Sequence, residues 1–308
     1  ALLDVLANDG YKVVGPTVRE EAIVYDEVRH LSDFPEGWTD EQSPGTYRLK
    51  KRDDAALFGY VVGPQSWKKY LFQPHKLMWQ ARREGDSIRF VEAPVDQTKL
   101  ALIGVRACEL HAIAIQDRVF MDIDPSYRAV RNGLFVVAVN CRLAGGTCFC
   151  ASMGTGPHAG DGFDLALTEV LEGQSHYFLV QVGSPAGSEV FARTPHRAAT
   201  ASESAHVGRA KQVALTMMGR ALDTTGVKEL LYRNYEHPRW DAVADRCLTC
   251  ANCTMVCPTC FCSSVEDTGD LTGEHSERWR KWDSCFTADF SYLHGGSIRG
   301  STKSRYRQ

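Results

Sequence analysis

Leu100-Ala101-Leu102-Ile103-Gly104-Val105 is a short apolar run bounded by polar residues, and it reads as a buried strand. Beyond it, Glu109 to Phe120 carries Leu110, Ala112, Ile113 and Ala114 at helical spacing, and Leu134 to Val139 is a second buried-strand run. Strand, helix and strand in that order form a β-α-β unit, whose two strands lie parallel and side by side with a right-handed crossover. Their carboxyl ends then share one edge of the sheet. Cys108 leaves the first strand at that edge and Cys141 leaves the second. The stretch predicts an α/β (mixed α+β) N-terminal domain built on a parallel β-α-β unit.

Working outward, Thr168 to Leu171 and Tyr177 to Val182 read as further strands, and Thr194 to Ala205, small and polar, as a surface loop. From Val207 the pattern changes. Ala210, Ala214, Met217, Met218 and Ala221 recur at helical spacing, and Val227 to Tyr235 reads as a second helix that stops before His237-Pro238. Residues 1 to about 97 mix short helical and strand signals with turns at Asp33 to Gly37 and Ser43 to Gly45, and no chemistry is legible there.

The chain has 308 residues, 44% of them hydrophobic, enough for one large or two modest cores. A formal net charge of −3 gives no electrostatic argument for nucleic acid or an anionic membrane. No apolar run approaches the roughly 18 residues of a membrane helix, and no signal-peptide succession opens the chain, so the expectation is a cytoplasmic protein without membrane insertion. Because the chain opens inside what reads as a helix, an upstream segment is also expected.

Eleven cysteines are absent from the first 107 residues and crowd into two zones, Cys108 to Cys150 and Cys247 to Cys285. Such crowding points to metal rather than to disulfides. Cys247, Cys250, Cys253 and Cys257, followed by Pro258, have the Cys-x2-Cys-x2-Cys-x3-Cys-Pro spacing of bacterial ferredoxins, which predicts a 4Fe-4S cluster. Three cysteines two residues apart wrap a tight loop round one face of the cluster. The fourth, expected at the start of a helix fixed by proline, points elsewhere, and in two-cluster ferredoxins it binds the other cluster. Zinc, which also takes four thiolates, is the competing reading, although zinc sites usually present two separated pairs.

Cys108, Cys141, Cys148 and Cys150 form the second constellation. The β-α-β geometry brings the first two together and the other two follow Cys141 closely, so four thiolates can converge. Cys108 also stands at a helix N-terminus, where the dipole favours a thiolate. The turns Ala144-Gly145-Gly146 and Gly154-Thr155-Gly156-Pro157 let backbone amides approach sulfur, and His111 is a possible substitute ligand.

Weaker signals accompany these. Thr147-Cys148-Phe149-Cys150 is echoed by Thr259-Cys260-Phe261-Cys262, a spacing that on a strand would point both sulfurs the same way. No cluster is assigned to Cys260, Cys262 and Cys285, and Trp279, Trp282 and Phe286 are read either as a shield for a cluster or as ordinary packing. Arg299, Lys303, Arg305 and Arg307 read as a solvated basic tail. There is no phosphate-binding loop, no dinucleotide fingerprint and no nucleophile with its base.

The motifs together resemble a known family, the iron–sulfur (4Fe-4S dicluster) subunits similar to the sulfhydrogenase beta subunit of cytoplasmic NADP-linked nickel–iron hydrogenases and to the corresponding electron-transfer subunit of anaerobic sulfite reductase. The residues that carry the resemblance are Gly104-Val105-Arg106-Ala107-Cys108-Glu109-Leu110-His111, Cys148 to Pro157, Cys247 to Cys262, and Trp282-Asp283-Ser284-Cys285-Phe286 through His294-Gly295-Gly296, with Ala107 where proline is usual. The resemblance implies a non-catalytic electron-transfer subunit, relaying electrons between a flavin subunit that handles NAD(P)H and a partner holding the catalytic metal. It also implies a second ferredoxin motif after the basic tail. None is present through Gln308, so a continuation of the polypeptide is expected, with two or three clusters in the complete chain. The domain plan that follows is an α/β domain at 1–206 with a cluster site at Cys108/Cys141/Cys148/Cys150, a helical connector at 207–240, and a helical ferredoxin-type module at 241–308. The alternatives are a self-contained flavin or sulfur oxidoreductase and a zinc-stabilised scaffold.

Overall fold

In a computed structural model of the chain, which describes residues 1–290 and 292–307, every residue of Leu100–Val105 and of Phe135–Val139 is buried. The two strands pair parallel as direct neighbours, Ala101 opposite Phe135 and Ile103 opposite Val137. A strand enclosed on both faces has no polar side to offer, which is why both read as unbroken apolar runs.

The chain divides into two compact units, Ala1–Trp67 with Asp96–Thr224 and Lys68–Val95 with Thr225–Gln308. With elements numbered along the whole chain, the first unit holds α1 (Leu2–Asn8), β1 (Lys12–Arg19), β2 (Ala22–Glu27), β3 (Trp38–Ser43) and β4 (Thr46–Lys51). It continues with β7 (Leu100–Val105), α3 (Ala107–Phe120), α4 (Pro125–Asn132), β8 (Phe135–Val139), β9 (Leu165–Glu172), β10 (Ser175–Val182), α5 (Pro185–Ala192) and α6 (Ala201–Thr216). Its main sheet runs β10-β9-β8-β7-β1-β2. The four inner strands are mutually parallel, and β10 and β2 close the edges antiparallel. Leu6, Val13, Ile103, Phe135, Val137 and Leu165 lie in its core, each at most 5% exposed. Burial of such side chains contributes about 1.5–3 kcal/mol each.

The second unit holds α2 (Lys68–Leu71), β5 (His75–Glu84), β6 (Ser87–Glu92), α7 (Val227–Arg233), α8 (Arg239–Ala244), α9 (Asn252–Val256), β11 (Ser263–Gly269), β12 (His275–Trp282), β13 (Tyr292–Leu293), β14 (Gly296–Ser297) and α10 (Thr302–Tyr306). Its sheet, β11-β12-β5-β6, is antiparallel throughout and mixes strands from distant parts of the sequence: His275 faces Arg82 and Lys281 faces His75. The expectation of a helical module therefore covers only the short helices of this unit. The hairpin of β5 and β6, which the sequence reading includes in 1–206, supplies half of the unit's largest sheet. No described helix is long and apolar enough to cross a membrane.

One stretch read as a loop is partly helical. Thr200 Oγ1 accepts from Glu203 N at 3.2 Å and Glu203 Oε2 accepts from Thr200 N at 2.8 Å. This reciprocal cap starts α6 at Ala201, so only Thr194 to Thr200 is loop, and Met217 to Ala221 lie past the helix end. We expect Thr200→Ala to lower the unfolding free energy by about 1 kcal/mol, measured by urea denaturation, because it leaves an amide of the first turn without its acceptor.

Candidate metal centres

The first group of cysteines is positioned by the ends of β7 and β8. The register of β7 against β8 shifts between Ile103 and Val105, where Gly104 takes φ +95°, and a Cβ there would lie 3.1 Å from Pro16 Cδ. Glycine is required for this kink, which turns the chain into α3. Arg106 caps α3, its amide donating to Glu109 Oε2 at 2.9 Å, and Cys108 is the second residue of the helix. Past β8, Asn140 is pinned by its Nδ2 donating to Thr168 Oγ1 at 2.8 Å and by Ala159 N donating to its Oδ1 at 2.9 Å. Cys141 N then donates to Pro157 O at 3.1 Å, which brings the Gly156 turn alongside.

The glycine-rich turns serve the sulfurs directly. Gly145 N donates to Cys148 Sγ at 3.3 Å, and a Cβ on Gly156 would come within 2.9 Å of Cys150 Sγ. All four thiols sense one another. Burial pushes Cys108 well above its ordinary value, Glu109 adds to this, and Cys141, Cys150 and Cys148 add further. Burial followed by Cys141 and Cys148 pushes Cys150 up to about 11. Cys108 keeps solvent access although protein atoms crowd its sulfur. Every cysteine of the chain is a free thiol. Among the described residues no three His, Cys, Asp or Glu side chains stand in metal-holding geometry, so the sulfurs share a neighbourhood rather than a finished coordination shell.

Two residues that no motif announces stand here. Arg106 is 1% exposed. Its Nη2 donates to Tyr60 O at 2.9 Å and Phe58 O at 3.1 Å, and its Nη1 to Val139 O at 3.4 Å. Its Nε is buried with no partner, and its charge draws the Cys141 thiol down against the upward push of burial. His158 has a buried Nε2 without a partner, and burial holds the imidazole down to about 4. His111, by contrast, is exposed on α3. A buried cation beside free thiols, with an unpaired N–H, fits an anionic sulfur-ligated group.

The second group sits on a tight loop. Thr249 and Ala251, neither of them glycine, take φ +51° and +64°, and Thr249 N donates to Cys247 Sγ at 3.3 Å. Such backbone costs of order 1–3 kcal/mol per residue, and here it turns an amide toward sulfur. Cys253 lies on α9, and Cys257 ends that helix in extended conformation instead of starting one, with Pro258 next. Thr254 Oγ1 donates to the fully buried Ser284 Oγ at 2.7 Å, tying α9 to the Cys285 segment. A hydrogen bond from Cys260 holds Cys257 down to about 5, while Cys260, as donor, is pushed up. Burial, with Cys262 next in weight, raises Cys285.

The weaker sequence signals also resolve. Neither Cys148-Phe149-Cys150 nor Cys260-Phe261-Cys262 is in a strand, so the alternation argument does not apply to them. Trp282 stacks on Phe72 at 6.2 Å, Trp279 on His75 at 4.4 Å, and Phe286 meets Tyr306 edge-on at 4.8 Å. The basic tail is tied down rather than solvated: Arg307 Nη1 donates to Glu236 Oε1 at 2.6 Å and Lys303 Nζ to Asp241 Oδ2 at 3.0 Å. Lys68, on α2, is a further residue without a sequence signal; its ammonium donates to Thr254 O and Cys260 O.

Residues 246–308 match the family described as 4Fe-4S dicluster domain. Over 297 residues the chain is 30% identical to sulfhydrogenase 2 subunit beta of Pyrococcus furiosus, covering 94% of this chain and 81% of that protein. No solved structure matches.

In the reduced, metal-free chain at about pH 6.5, iodoacetamide should modify the Cys257/Cys260 pair at least about tenfold faster than Cys150, read by peptide mass spectrometry. The hydrogen bond within the pair favours one thiolate whereas burial disfavours that of Cys150, and the weaker intrinsic nucleophilicity of a low-pKa thiolate offsets only part of the difference.

Proposed function

Because the chain belongs to the sulfhydrogenase beta-subunit family of iron–sulfur proteins, we propose that it relays electrons within a multisubunit oxidoreductase and performs no bond chemistry of its own. One cluster site is Cys247, Cys250, Cys253 and Cys257, and a second is Cys108, Cys141, Cys148 and Cys150. A bound 4Fe-4S cluster stores and passes single electrons at a potential that burial, charge and hydrogen bonds adjust. The protein's own contribution is to hold the thiolates, aim amides such as Thr249 N and Gly145 N at sulfur, and place cations close by.

The observation that carries this reading is the loop from Cys247 to Cys253, where Thr249 and Ala251 take left-handed backbone and Thr249 N donates to Cys247 Sγ. A relative named as a sulfhydrogenase subunit suggests a multisubunit setting, and the family resemblance of the motifs suggests its members: a flavin subunit handling NAD(P)H on one side and a nickel–iron hydrogenase subunit on the other, in the cytoplasm. Electron relay needs no catalytic side chain, in keeping with a site built of thiols and buried cations.

Anaerobic analysis of iron and acid-labile sulfide in the purified chain decides the matter. About four irons should be lost in Cys250→Ser and about four others in Cys141→Ser, each with disappearance of its own reduced-state paramagnetic signal. Zinc in place of iron and sulfide would sink the reading, and loss of iron from Cys250→Ser alone would remove the second site.

A further inference from the structure

Lys68 belongs to a four-residue helix in a stretch with no metal motif, about 180 residues before the cysteine loop. Yet it is 3% exposed. Its Nζ lies 3.2 Å from Thr254 O and 3.3 Å from Cys260 O, and 4.0 Å from the centre of the Trp282 ring. Both carbonyls belong to the backbone that carries Cys253, Cys257 and Cys260. Trp282 is itself held by its Nε1 donating to Phe72 O at 3.1 Å.

No carboxylate pairs with this ammonium among the described residues. Desolvation holds the ammonium below the ordinary lysine value, and Cys260, Cys257 and Cys262 offset part of that cost. An unpaired buried cation is costly, whereas one facing anionic sulfur is compensated. Two carbonyl dipoles and an aromatic face hold the ammonium in place without neutralising it, so its positive charge acts on the neighbouring loop, where Cys257 is the thiol held down.

We propose that Lys68 is a positioning residue for the cluster on the Cys247 to Cys257 loop, its fixed positive charge stabilising the reduced form and so raising the reduction potential. The proposal rests on the cluster reading given above. One-electron reduction adds a negative charge to the cluster, and a cation held nearby lowers the free energy of that state more than of the oxidised one. The charge is the operative feature. The hydrogen bonds to Thr254 O and Cys260 O serve to hold it there.

The test is a reductive titration of the anaerobically loaded full chain, followed by electron paramagnetic resonance, with iron and sulfide counted in every sample. Lys68→Gln keeps a donor for the two carbonyls and removes the charge; Lys68→Met is a second neutral variant that preserves the apolar stem; Lys68→Arg keeps the charge. Either neutral variant that loads iron should shift the one-electron equilibrium at least tenfold toward the oxidised cluster, a potential about 59 mV lower for n = 1, while Lys68→Arg stays near the parent. Loss of loading in both neutral variants, with Lys68→Arg still loading, also supports a required charge. A fully loaded neutral variant that titrates like the parent overturns the proposal and leaves the cluster reading intact. Failure of Lys68→Arg to load alongside the neutral variants overturns it too, since charge would then not be what matters. A parent chain without iron or sulfide would bring down the cluster reading, and the proposal with it.

Discussion

A guanidinium buried as deeply as that of Arg106 has to be met by acceptors on several sides, and much of the first unit is arranged around that demand. The carbonyls of Phe58 and Tyr60 come from a loop after β4, and that of Val139 from the end of β8. Arg106 itself follows β7 directly and caps α3. One side chain thereby fastens three separate stretches of chain at the carboxyl edge of the parallel sheet. Removing it would strand several buried carbonyls at about 1–3 kcal/mol for each one left unmade. The same edge is where ligands gather in open parallel sheets generally, because the loops that leave there are free of the sheet's hydrogen-bond ladder.

Charge links this scaffold to the chemistry. Glu109, whose carboxyl burial raises to about 7, accepts from Tyr25 Oη at 2.7 Å and from the Arg106 amide. It therefore offers an incomplete counter-charge to the guanidinium, which also acts on the Asp40 carboxyl and the Cys141 thiol. The second unit repeats the theme by other means. There a lysine faces cysteine sulfurs, and a loop with strained backbone turns an amide onto Cys247. In both units cations and N–H groups stand near sulfur and work against the upward push of burial on the thiols, which tunes what they can ligate.

The parallel β-α-β unit was legible because Leu100–Val105 and Phe135–Val139 are buried on both faces and carry no competing polar pattern. The ferredoxin spacing was legible because a cluster constrains its ligands locally. The start of helix α6 carries no apolar period because its first turn is small and polar; what starts it is a reciprocal cap between Thr200 and Glu203. The hairpin of β5 and β6 was assigned by proximity in sequence, and nothing in its alternation names β12 as its partner. Arg106, His158 and Lys68 were invisible as site residues, since a lone charged or imidazole side chain has no pattern until its surroundings are known.

By itself, then, the sequence determined the parallel core, the two cysteine groups and the family, all of which depend on short-range spacing or on runs of one polarity. Which distant segments complete each unit, and which buried cations face the sulfurs, were decided only by the tertiary structure. Strand pairing across about 200 residues and the desolvation of a single charge are properties of neighbours in space, and the linear order of residues does not encode them locally.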